Sequence, residues 1–411
     1  MIIITIGTAL AACLTTALAA PTQASAPLPN FSLVAEYRDR SFFDGFTAFT
    51  GADPTGGRVR YVGMEEAAQK NYTGFHDNKS TGSINAYIGV DFTSVTPYRD
   101  SVRLSSKHTF DVGTIVVMDV VHMPSAFGAW PALWMLGDIP GPTWPNTNGG
   151  EIDILEVVHN SDVNAMTMHT GPGCTVDKNA AHLFQGQLQD PNCNAGNPQP
   201  GTTGCSVQAT NQASSRGVTL ATAGAPFNQQ EGGVYEGGVY VTVWMESGVS
   251  VYLFKRNALP SGLYNGNPIP ELWKTKPLAH FSGPGCNYGT TFNAMRIVTD
   301  TTFCGDWAGN PEVWAAFGGP AATGSATCEA YVQNNPGAFK DAYFEIKSIQ
   351  VYGRNGKMPA LKAASKREDF AFADIDLAER YHDSGNVSMA NGKHLGQHVH
   401  SHGHGTHSHF H

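Results

Sequence analysis

Short apolar or alternating runs, separated by clusters of Gly, Pro, Asn and Ser, repeat from about Phe31 to Tyr352. Residues 113–123, GTIVVMDVVHM, form one run, and residues 343–353, YFEIKSIQVYG, form the last. In residues 240–255, YVTVWMESGVSVYLFK, the pattern predicts a hairpin with its turn at Ser247-Gly248. The chain before residue 357 shows no long segment with a helical period. The pattern therefore predicts an all-β fold of antiparallel strands packed as two sheets.

Two stretches depart from this rhythm. Residues 171–233 are rich in Gly, Asn, Gln, Thr and Pro and contain three cysteines, which predicts a long disulfide-pinned loop beside a cleft rather than a second domain. Residues 357–411 begin with a charged piece of helical character and end in HLGQHVHSHGHGTHSHFH. This tail lacks the apolar content to build a core, so we predict that it is disordered.

The histidines of the tail are of a type that binds Zn²⁺, Cu²⁺ or Ni²⁺. A solvated low-complexity tail or a purification artefact accounts for them equally well, and the sequence specifies no ligand geometry. We therefore assign neither a structural metal nor a cofactor.

Composition narrows the possible functions. Charged residues make up 14% of the chain, below the roughly 25% usual in soluble domains, while 46 glycines and 10% aromatic residues suit a turn-rich β fold. The formal net charge of -9 provides no basic field for a phosphate backbone. Nucleic acid is therefore excluded as the expected partner.

The chain opens with MIIITIGTALAACLTTALAAPTQASAP, an apolar run that ends in small residues. It predicts a secretory signal peptide over residues 1–20, with a second candidate cleavage point after Ala26, although the usual basic start is missing. An uncleaved membrane anchor is the alternative, but the apolar core is shorter than the roughly 20 residues that a span needs. We expect a secreted, extracellular monomer, free or at a cell wall, with no membrane partner.

Removal of such a signal peptide takes Cys13 with it and leaves six cysteines: Cys174, Cys193, Cys205, Cys286, Cys304 and Cys328. In an exported chain six thiols predict up to three disulfides, whose pairing the sequence does not rank. None has the CxxC spacing of a metal site. Potential glycan acceptors begin Asn-x-Ser/Thr sequons at Asn30, Asn71, Asn78 and Asn386.

The stretch GGEIDILEVVH, residues 149–159, alternates like a strand but carries Glu151, Asp153 and Glu156. In a regular strand Glu156 faces away from Glu151, because residues five apart lie on opposite faces. One extra residue in a β-bulge at Ile154-Leu155 would bring all three carboxylates onto one face.

Three converging acids without a basic neighbour in the motif repel each other and raise at least one pKa. A retaining glycosidase needs such an arrangement, with one carboxylate as nucleophile and one carboxyl as acid, about 5 Å apart. Asp153 between them can hold a proton that keeps their pKa values apart. A calcium site or an exposed acidic edge strand is the alternative, although the motif lacks the further oxygen ligands that Ca²⁺ needs.

The motif GGEIDILE resembles the Glu-x-Asp-x-x-Glu signature of glycoside hydrolase family 16, and its surroundings are similar to fungal laminarinase-like endo-β-1,3(4)-glucanases. The blocks SVRL, WPALWML, TWPN, MTMHTGPGC and FCGDWAG follow in the order of that family, and the resemblance runs from about residue 31 to residue 353. It implies one family 16 domain over these residues, folded as a jelly-roll β-sandwich with a concave substrate cleft.

The resemblance further implies catalytic roles. Glu151 would be the nucleophile, Glu156 the acid/base and Asp153 the residue that tunes them. His169, in MTMHT, falls where the family has a histidine near the acid/base. A lone histidine in an alternating strand is otherwise more often a core residue.

Flat indole rings can pack on the apolar C–H faces of pyranose sugars. Trp134, Trp144 and Trp307 lie in blocks similar to the cleft segments of the family. Trp130 does too, with a core role as the alternative, while packing is expected for two others, Trp244 and Trp273. The loop bearing Trp144 looks longer than usual, so its subsite is open.

Basic and acidic side chains complete the candidate subsites. By similarity of the SVR block, Arg103 and Arg99 are expected to bind sugar hydroxyls on the non-reducing side. A surface charge is the alternative for both arginines. Asp306, beside Trp307, is a weaker candidate of the same kind.

The sequence therefore predicts a secreted retaining endo-β-glucanase that hydrolyses β-1,3 and mixed β-1,3/1,4-glucans, with the polysaccharide as its partner. A glucan transglycosylase sharing the covalent intermediate is the nearest alternative. A non-catalytic β-glucan-binding protein is the more distant one, against which both glutamates argue.

Overall fold

The computed structural model describes residues 29–79, 82–138, 149–161, 163–196, 204–209, 230–231, 234–235, 237–264, 266–356, 360–361 and 371–377. The predicted signal peptide, Trp144, Asn386 and most of the His-rich tail lie outside these residues, as does much of the 171–233 loop. Strands dominate the described residues. They are β1 Phe31–Arg38, β2 Phe46–Ala48, β3 Val59–Tyr61, β4 Thr73–Asn78, β5 Ser83–Ile88, β6 Arg99–Ser101, β7 Arg103–Ser106, β8 His108–Thr109, β9 Thr114–His122, β10 Ala129–Gly137, β11 Glu151–Glu156, β12 Ala165–His169, β13 Gln187–Asp190, β14 Cys205–Gln208, β15 Gln230–Glu231, β16 Val234–Tyr235, β17 Gly238–Met245, β18 Gly248–Phe254, β19 Ala279–Ser282, β20 Met295–Phe303, β21 Phe344–Arg354, β22 Ala360–Leu361 and β23 Ala373–Asp374.

Helices are short and connect the strands. The α-helices are α1 Met64–Gln69, α2 Tyr288–Thr291, α3 Gly305–Ala308, α4 Pro311–Ala316, α5 Gly319–Thr323 and α6 Cys328–Asn334. Short 3-10 helices lie at Asp39–Gly45, Lys178–Leu183, Arg256–Ala258, Pro270–Leu272 and Pro336–Phe339.

Two large sheets account for most strands, and their main-path neighbours are antiparallel apart from the short β23–β4 pair. The first has the order β19-β18-β17-β9-β21-β5-β4-β23, with β1 also paired to β21. The second has the order β13-β14-β12-β11-β10-β20-β7-β2. The predicted all-β architecture of two antiparallel sheets is thus confirmed.

The main hydrophobic core lies between the two sheets. It joins side chains of the first sheet, such as Val116 and Met118, to side chains of the second, such as Leu133, Met135 and Ile152, all essentially without solvent contact. Burying this apolar surface is the main driving force for such a sandwich.

Strand β9 explains why one sequence run is apolar on both faces. Val116 and Met118 point into the main core, while Ile115 and Val117 belong to a second cluster on the outer face of the same sheet. Leu263 and Trp273 of the chain after β18 cover that outer cluster. Trp273 and Trp244, which is 1% exposed, are packing residues, as predicted.

The hairpin predicted in residues 240–255 is present as β17 and β18. Its register pairs Met245 with Gly248, so the two-residue turn is Glu246-Ser247, one position earlier than predicted. Gly248 begins the second strand instead, at a φ of 151°.

The six cysteines form three disulfides, which confirms the predicted number. The pairs are Cys174–Cys286, Cys193–Cys205 and Cys304–Cys328. The third closes a segment that contains the short helices α3 to α5 and the start of α6, so this helical segment is attached to the end of β20.

Part of the C-terminal tail corrects the prediction of disorder. β22 pairs with β8, and β23 adds to the edge of the first sheet beside β4. Phe372 stacks on Phe43 at 4.4 Å between ring centroids, and Leu377 is buried against Tyr87 and Tyr343. These apolar contacts hold residues 371–377 on the sandwich. The prediction of disorder did not include them because it was based on the composition of the whole tail.

Among the described residues, no helix has the length and apolar character needed to cross a bilayer.

Candidate active site

A β-bulge in β11 places three carboxylates on one face of the second sheet. In the pairing with β10, Asp153 lies opposite Trp134 and Leu155 lies opposite Leu133, so Ile154 has no partner. Ile154 and Leu155 are adjacent in sequence yet both belong to the main core. The bulge predicted at these two residues is therefore present.

Cross-strand pairing confirms which face the carboxylates share. Side chains directly opposite each other in a sheet point the same way, and Glu151, Asp153 and Glu156 lie opposite Leu136, Trp134 and Ala132. Those three β10 residues alternate with the core residues Leu133 and Met135. All three acids consequently project from the face opposite the core.

The side chain of Asn164 holds the bulged backbone. Its Nδ2 donates to the carbonyl of Ile154 at 2.9 Å, and its Oδ1 accepts from the backbone N–H of Glu156 at 2.8 Å. Asn164 is fully buried. Asn164 could not be found from the sequence, because nothing in the motif shows which side chain satisfies the bulged backbone from eight to ten residues away.

His169 lies beside two of the acids on the neighbouring strand β12. It is paired directly with Glu151, and its Nε2 is 3.2 Å from Asp153 Oδ2 and 3.9 Å from Glu151 Oε1. The structure thus places the predicted histidine near Asp153 and Glu151.

Trp130 is part of the site rather than of the core. Its indole Nε1 donates to Glu156 Oε1 at 2.8 Å. Trp307, at the start of the helical segment, meets it edge-on with ring centroids 5.6 Å apart. Both rings are partly exposed.

A second buried acid, Asp300 on β20, was not found from the sequence. It pairs with Ala132 on one side and Arg103 on the other. Its carboxylate accepts from Trp134 Nε1 at 2.7 Å and from Tyr61 Oη at 2.8 Å. The only available signal was one Asp in the apolar run MRIVTDTTF, which does not show what lies beside it.

Arg103 lies between two aromatic rings at the same face. Its guanidinium carbon is 4.8 Å from the Trp134 ring centroid and 4.9 Å from that of Phe49. Such stacking fixes a planar cation over aromatic faces. Arg103 and Trp134 therefore lie on the sheet face that carries the three acids, with Phe49 beside them, and their role in substrate binding stays a prediction.

Arg99 corrects the sequence analysis. Its side chain is fully buried, and it donates to the carbonyls of Asp91 and Ser94 at 3.1 and 3.2 Å and to that of Val332. A buried guanidinium with these backbone partners fixes loops and has no access to a sugar. The other weak candidate, Asp306, is exposed.

Burial is the largest cause that raises the pKa of each of Glu151, Asp153 and Glu156 above the ordinary carboxyl range. Neighbouring acids raise it further: Asp153 acts on both glutamates, and Asp300 acts on Asp153. The N–H of Trp130 opposes this effect at Glu156. Protonated and ionised carboxyls can therefore coexist here at neutral pH.

Three side chains could hold a metal ion. One donor atom each from Glu151, Asp153 and His169 lies within 4.8 Å of the others. A nitrogen and two carboxylates suit a transition ion better than Ca²⁺, which prefers six to eight oxygens. One of these three residues, Glu151, is also the nucleophile expected in a two-carboxylate mechanism.

A family model described as the XgeA-like catalytic domain of glycoside hydrolase family 16 matches residues 46–352. A probable endo-1,3(4)-β-glucanase of Aspergillus fumigatus is 37% identical over 79% of this chain and 45% of its own length. The endo-1,3(4)-β-glucanase xgeA of Emericella nidulans is 36% identical over 80% of this chain and 48% of its own. The chain thus spans about half the length of these curated relatives.

Solved structures agree with the fold. Laminarinase 16A of Phanerochaete chrysosporium, with 6-O-glucosyl-laminaritriose in donor and acceptor sites, is 34% identical with a TM-score of 0.66, over 79% of this chain and 99% of its own. An elongating family 16 β-1,3-glucosyltransferase is 32% identical with a TM-score of 0.63, over 78% and 99%. The sandwich is the jelly roll that the sequence predicted.

Proposed function

Because this chain belongs to glycoside hydrolase family 16, with an XgeA-like catalytic domain, we propose that it is a retaining endo-β-glucanase. Its substrates are β-1,3-glucans and mixed β-1,3/1,4-glucans. The observation that carries this proposal is the bulge, since it gathers Glu151, Asp153 and Glu156 on one sheet face. Three acids this close together destabilise a strand that has no catalytic role, because their mutual repulsion opposes folding.

The proposed reaction has two steps. Glu156 protonates the glycosidic oxygen while the Glu151 carboxylate attacks the anomeric carbon, which breaks the bond to the leaving sugar and forms a glycosyl ester. Glu156, now ionised, takes a proton from water, and that water displaces Glu151 from the sugar.

The surroundings of Glu156 support both of its protonation states. Burial raises its pKa, which keeps the acid protonated for the first step. The N–H of Trp130 donates to Oε1, and this hydrogen bond stabilises the anion in the second step. Asp153, with His169 at 3.2 Å, adjusts the charge next to both glutamates.

Substrate contacts are proposed on both sides of the acids. Trp134, held by Asp300 and stacked on Arg103, offers an indole and a cation to one part of the glucan. The pair Trp130 and Trp307 offers ring faces to another. Trp144 lies outside the described residues and stays a predicted subsite residue.

Transglycosylation is the second candidate. An elongating β-1,3-glucosyltransferase is among the similar solved structures, and the same covalent intermediate serves both outcomes. Incubation with concentrated laminarin oligosaccharides separates them, since longer products indicate transfer and shorter products indicate hydrolysis.

A laminarin reducing-sugar assay on the wild type and Glu151→Ser tests the proposal. We expect product from the wild type and essentially none from the variant. Equal product from both proteins would show that Glu151 is not the nucleophile, and no product from either would leave only a glucan-binding role. A parallel digest of laminarin, lichenan and a β-1,6-branched glucan defines the linkage preference.

Export is also part of the proposal. Three disulfides in the described residues suit an oxidising compartment, and the N-terminal run has the character of a signal peptide. N-terminal sequencing of the protein from culture medium tests this point, with a mature start at residue 21 or 27 as the expected result.

A further inference from the structure

We propose that Asn164 is the positioning residue of the acid/base: its buried side-chain amide clamps the β-bulge and thereby sets where the Glu156 carboxyl lies. This inference rests on the proposed function, because it assumes that Glu156 acts on the glycosidic oxygen. It assigns a role to a residue outside the acidic motif.

The hydrogen-bond ladder shows why a clamp is needed. β11 pairs with β12 only at Glu151, Ile152 and Asp153. In the part of the chain that the structure describes, no residue of β11 beyond Asp153 has a strand partner on that side. The bulge would therefore leave backbone groups of Ile154 and Glu156 without ladder bonds on this side.

Asn164 supplies the missing bonds with one side chain. Its Nδ2 donates to the Ile154 carbonyl at 2.9 Å, and its Oδ1 accepts from the Glu156 N–H at 2.8 Å. A carbonyl only accepts and a backbone N–H only donates, so these two partners fix the orientation of the amide. A side chain with both a donor and an acceptor at this reach is required, and Asn has both.

The clamp acts on the backbone of the acid/base itself. Glu156 is also held from the other side, where it pairs with Ala132 and its carboxyl accepts from Trp130. The backbone of Glu156 is therefore fixed between the Asn164 side chain on one side and β10 on the other. A displacement of about 1 Å at a catalytic group can lower the rate 100-fold.

Asn164→Ala tests the proposal in the full-length protein with laminarin as substrate. We expect kcat to fall at least tenfold, with KM within twofold of the wild type, because the side chain of Asn164 hydrogen-bonds to the backbone of β11 and not to a sugar-binding ring. The matched control is Met166→Ala, which removes a fully buried core side chain two residues further along. The unfolding temperature of Met166→Ala should fall by at least as much as that of Asn164→Ala, while its kcat stays within threefold of the wild type.

Asn164→Asp provides a second readout that a general loss of stability would not move. Aspartate keeps the acceptor for the Glu156 N–H, but it can donate to the Ile154 carbonyl only when protonated. We therefore expect the ratio of its kcat to that of the wild type to rise at least threefold from pH 7 to pH 5. If Asn164→Ala does not fold, Asn164→Asp still tests the proposed role of Asn164.

Two results would overturn the proposal. One is an Asn164→Ala enzyme, or an Asn164→Asp enzyme at pH 7, with kcat within threefold of the wild type. The other is a Met166→Ala control that loses as much kcat at the same loss of unfolding temperature. An inactive wild type would instead refute the proposed function, so the two failures are distinguishable.

Discussion

At the scale of single residues, the surroundings of the Glu156 carboxyl have opposing effects on its pKa. Trp130 donates its indole N–H to Oε1, while burial and Asp153 raise the pKa of the same group. The hydrogen bond favours the anion and the other two effects favour the acid. The pH at which activity is lost on the alkaline side therefore reports their balance.

Trp130→Phe removes the donor and keeps an aromatic ring. Without the N–H the anion is less stable, so the pKa of Glu156 rises and the acid form persists to higher pH. We expect the alkaline limb of the kcat/KM profile to move upward and kcat to fall about tenfold, since a hydrogen bond to a charged group contributes roughly 1.5 kcal/mol or more. Trp307→Phe is the control, and an upward movement of its limb by the same amount would contradict this assignment.

Asp153 makes a prediction about stability. Its pKa rises from about 3.9 in an unfolded chain to about 8 when buried in the protein, so the folded state binds the proton more tightly. Stability is then full below pH 4 and declines as pH rises toward 8. Asp153→Asn removes this penalty. We expect it to raise the unfolding temperature at pH 7 by at least about 2 °C and to have no such effect near pH 3.5, as measured by scanning calorimetry. An unchanged difference at both pH values would show that Asp153 is not the titrating group.

The residues differed in how far the sequence could predict them. Glu151, Asp153 and Glu156 lie within one short motif. Because residues five apart in a regular strand face opposite sides, a bulge was needed for all three to share one face. Asp300 and Asn164 reach the same site from other strands or loops, and neither had a local signal. Arg99 and Arg103 are four positions apart in one block, but only the structure shows that one is enclosed by loop carbonyls and the other faces the site.

At the scale of elements, the strands followed from alternation and the helical segment did not. Helices α3 to α6 have four to seven residues each, too short for an apolar period to show. Their caps were the available signal: Asn310 accepts from the N–H groups of Glu312 and Val313, with Pro311 at the first helical position. The Cys304–Cys328 disulfide spans this segment.

The Cys304–Cys328 disulfide is expected to support substrate binding. It closes a loop with a sequence separation of 24 that carries Trp307. The double variant Cys304→Ser/Cys328→Ser should lower the unfolding temperature by about 5–10 °C and raise KM for laminarin severalfold. As the control, Cys174→Ser/Cys286→Ser removes a disulfide that holds neither Trp130 nor Trp307. A KM increase of equal size in that control would contradict the specific role of the helical segment.

The C-terminal strand β23 makes a separate prediction. Phe372 packs on Phe43 and Phe75, so Phe372→Ala should lower the unfolding temperature by about 2–6 °C and leave KM unchanged. Leu272→Ala, at a side chain that is 61% exposed, is the control and should change neither quantity. An unfolding temperature equal to that of the wild type would show that residues 371–377 do not hold on the sheet.

At the scale of the whole molecule, the side chains that stabilise the sandwich and those that form the candidate site lie on different sheet faces. The core between the sheets and the cluster behind β9 bury apolar side chains on both faces of the first sheet. The second sheet uses one face for the core and leaves the other for charged and aromatic side chains. The repulsion among the acids lowers the free energy of unfolding. The large apolar surface buried in the two cores offsets that loss, so the fold stays stable.

The stereochemistry of the first product tests the central claim most directly. Proton NMR during an early laminarin digest resolves the anomeric signals of the newly formed reducing end before the anomers interconvert. Attack by Glu151 followed by attack of water inverts the anomeric carbon twice, so the account predicts that the β-anomer appears first. An initial α-anomer would contradict the assignment of Glu151 and Glu156 as nucleophile and acid/base.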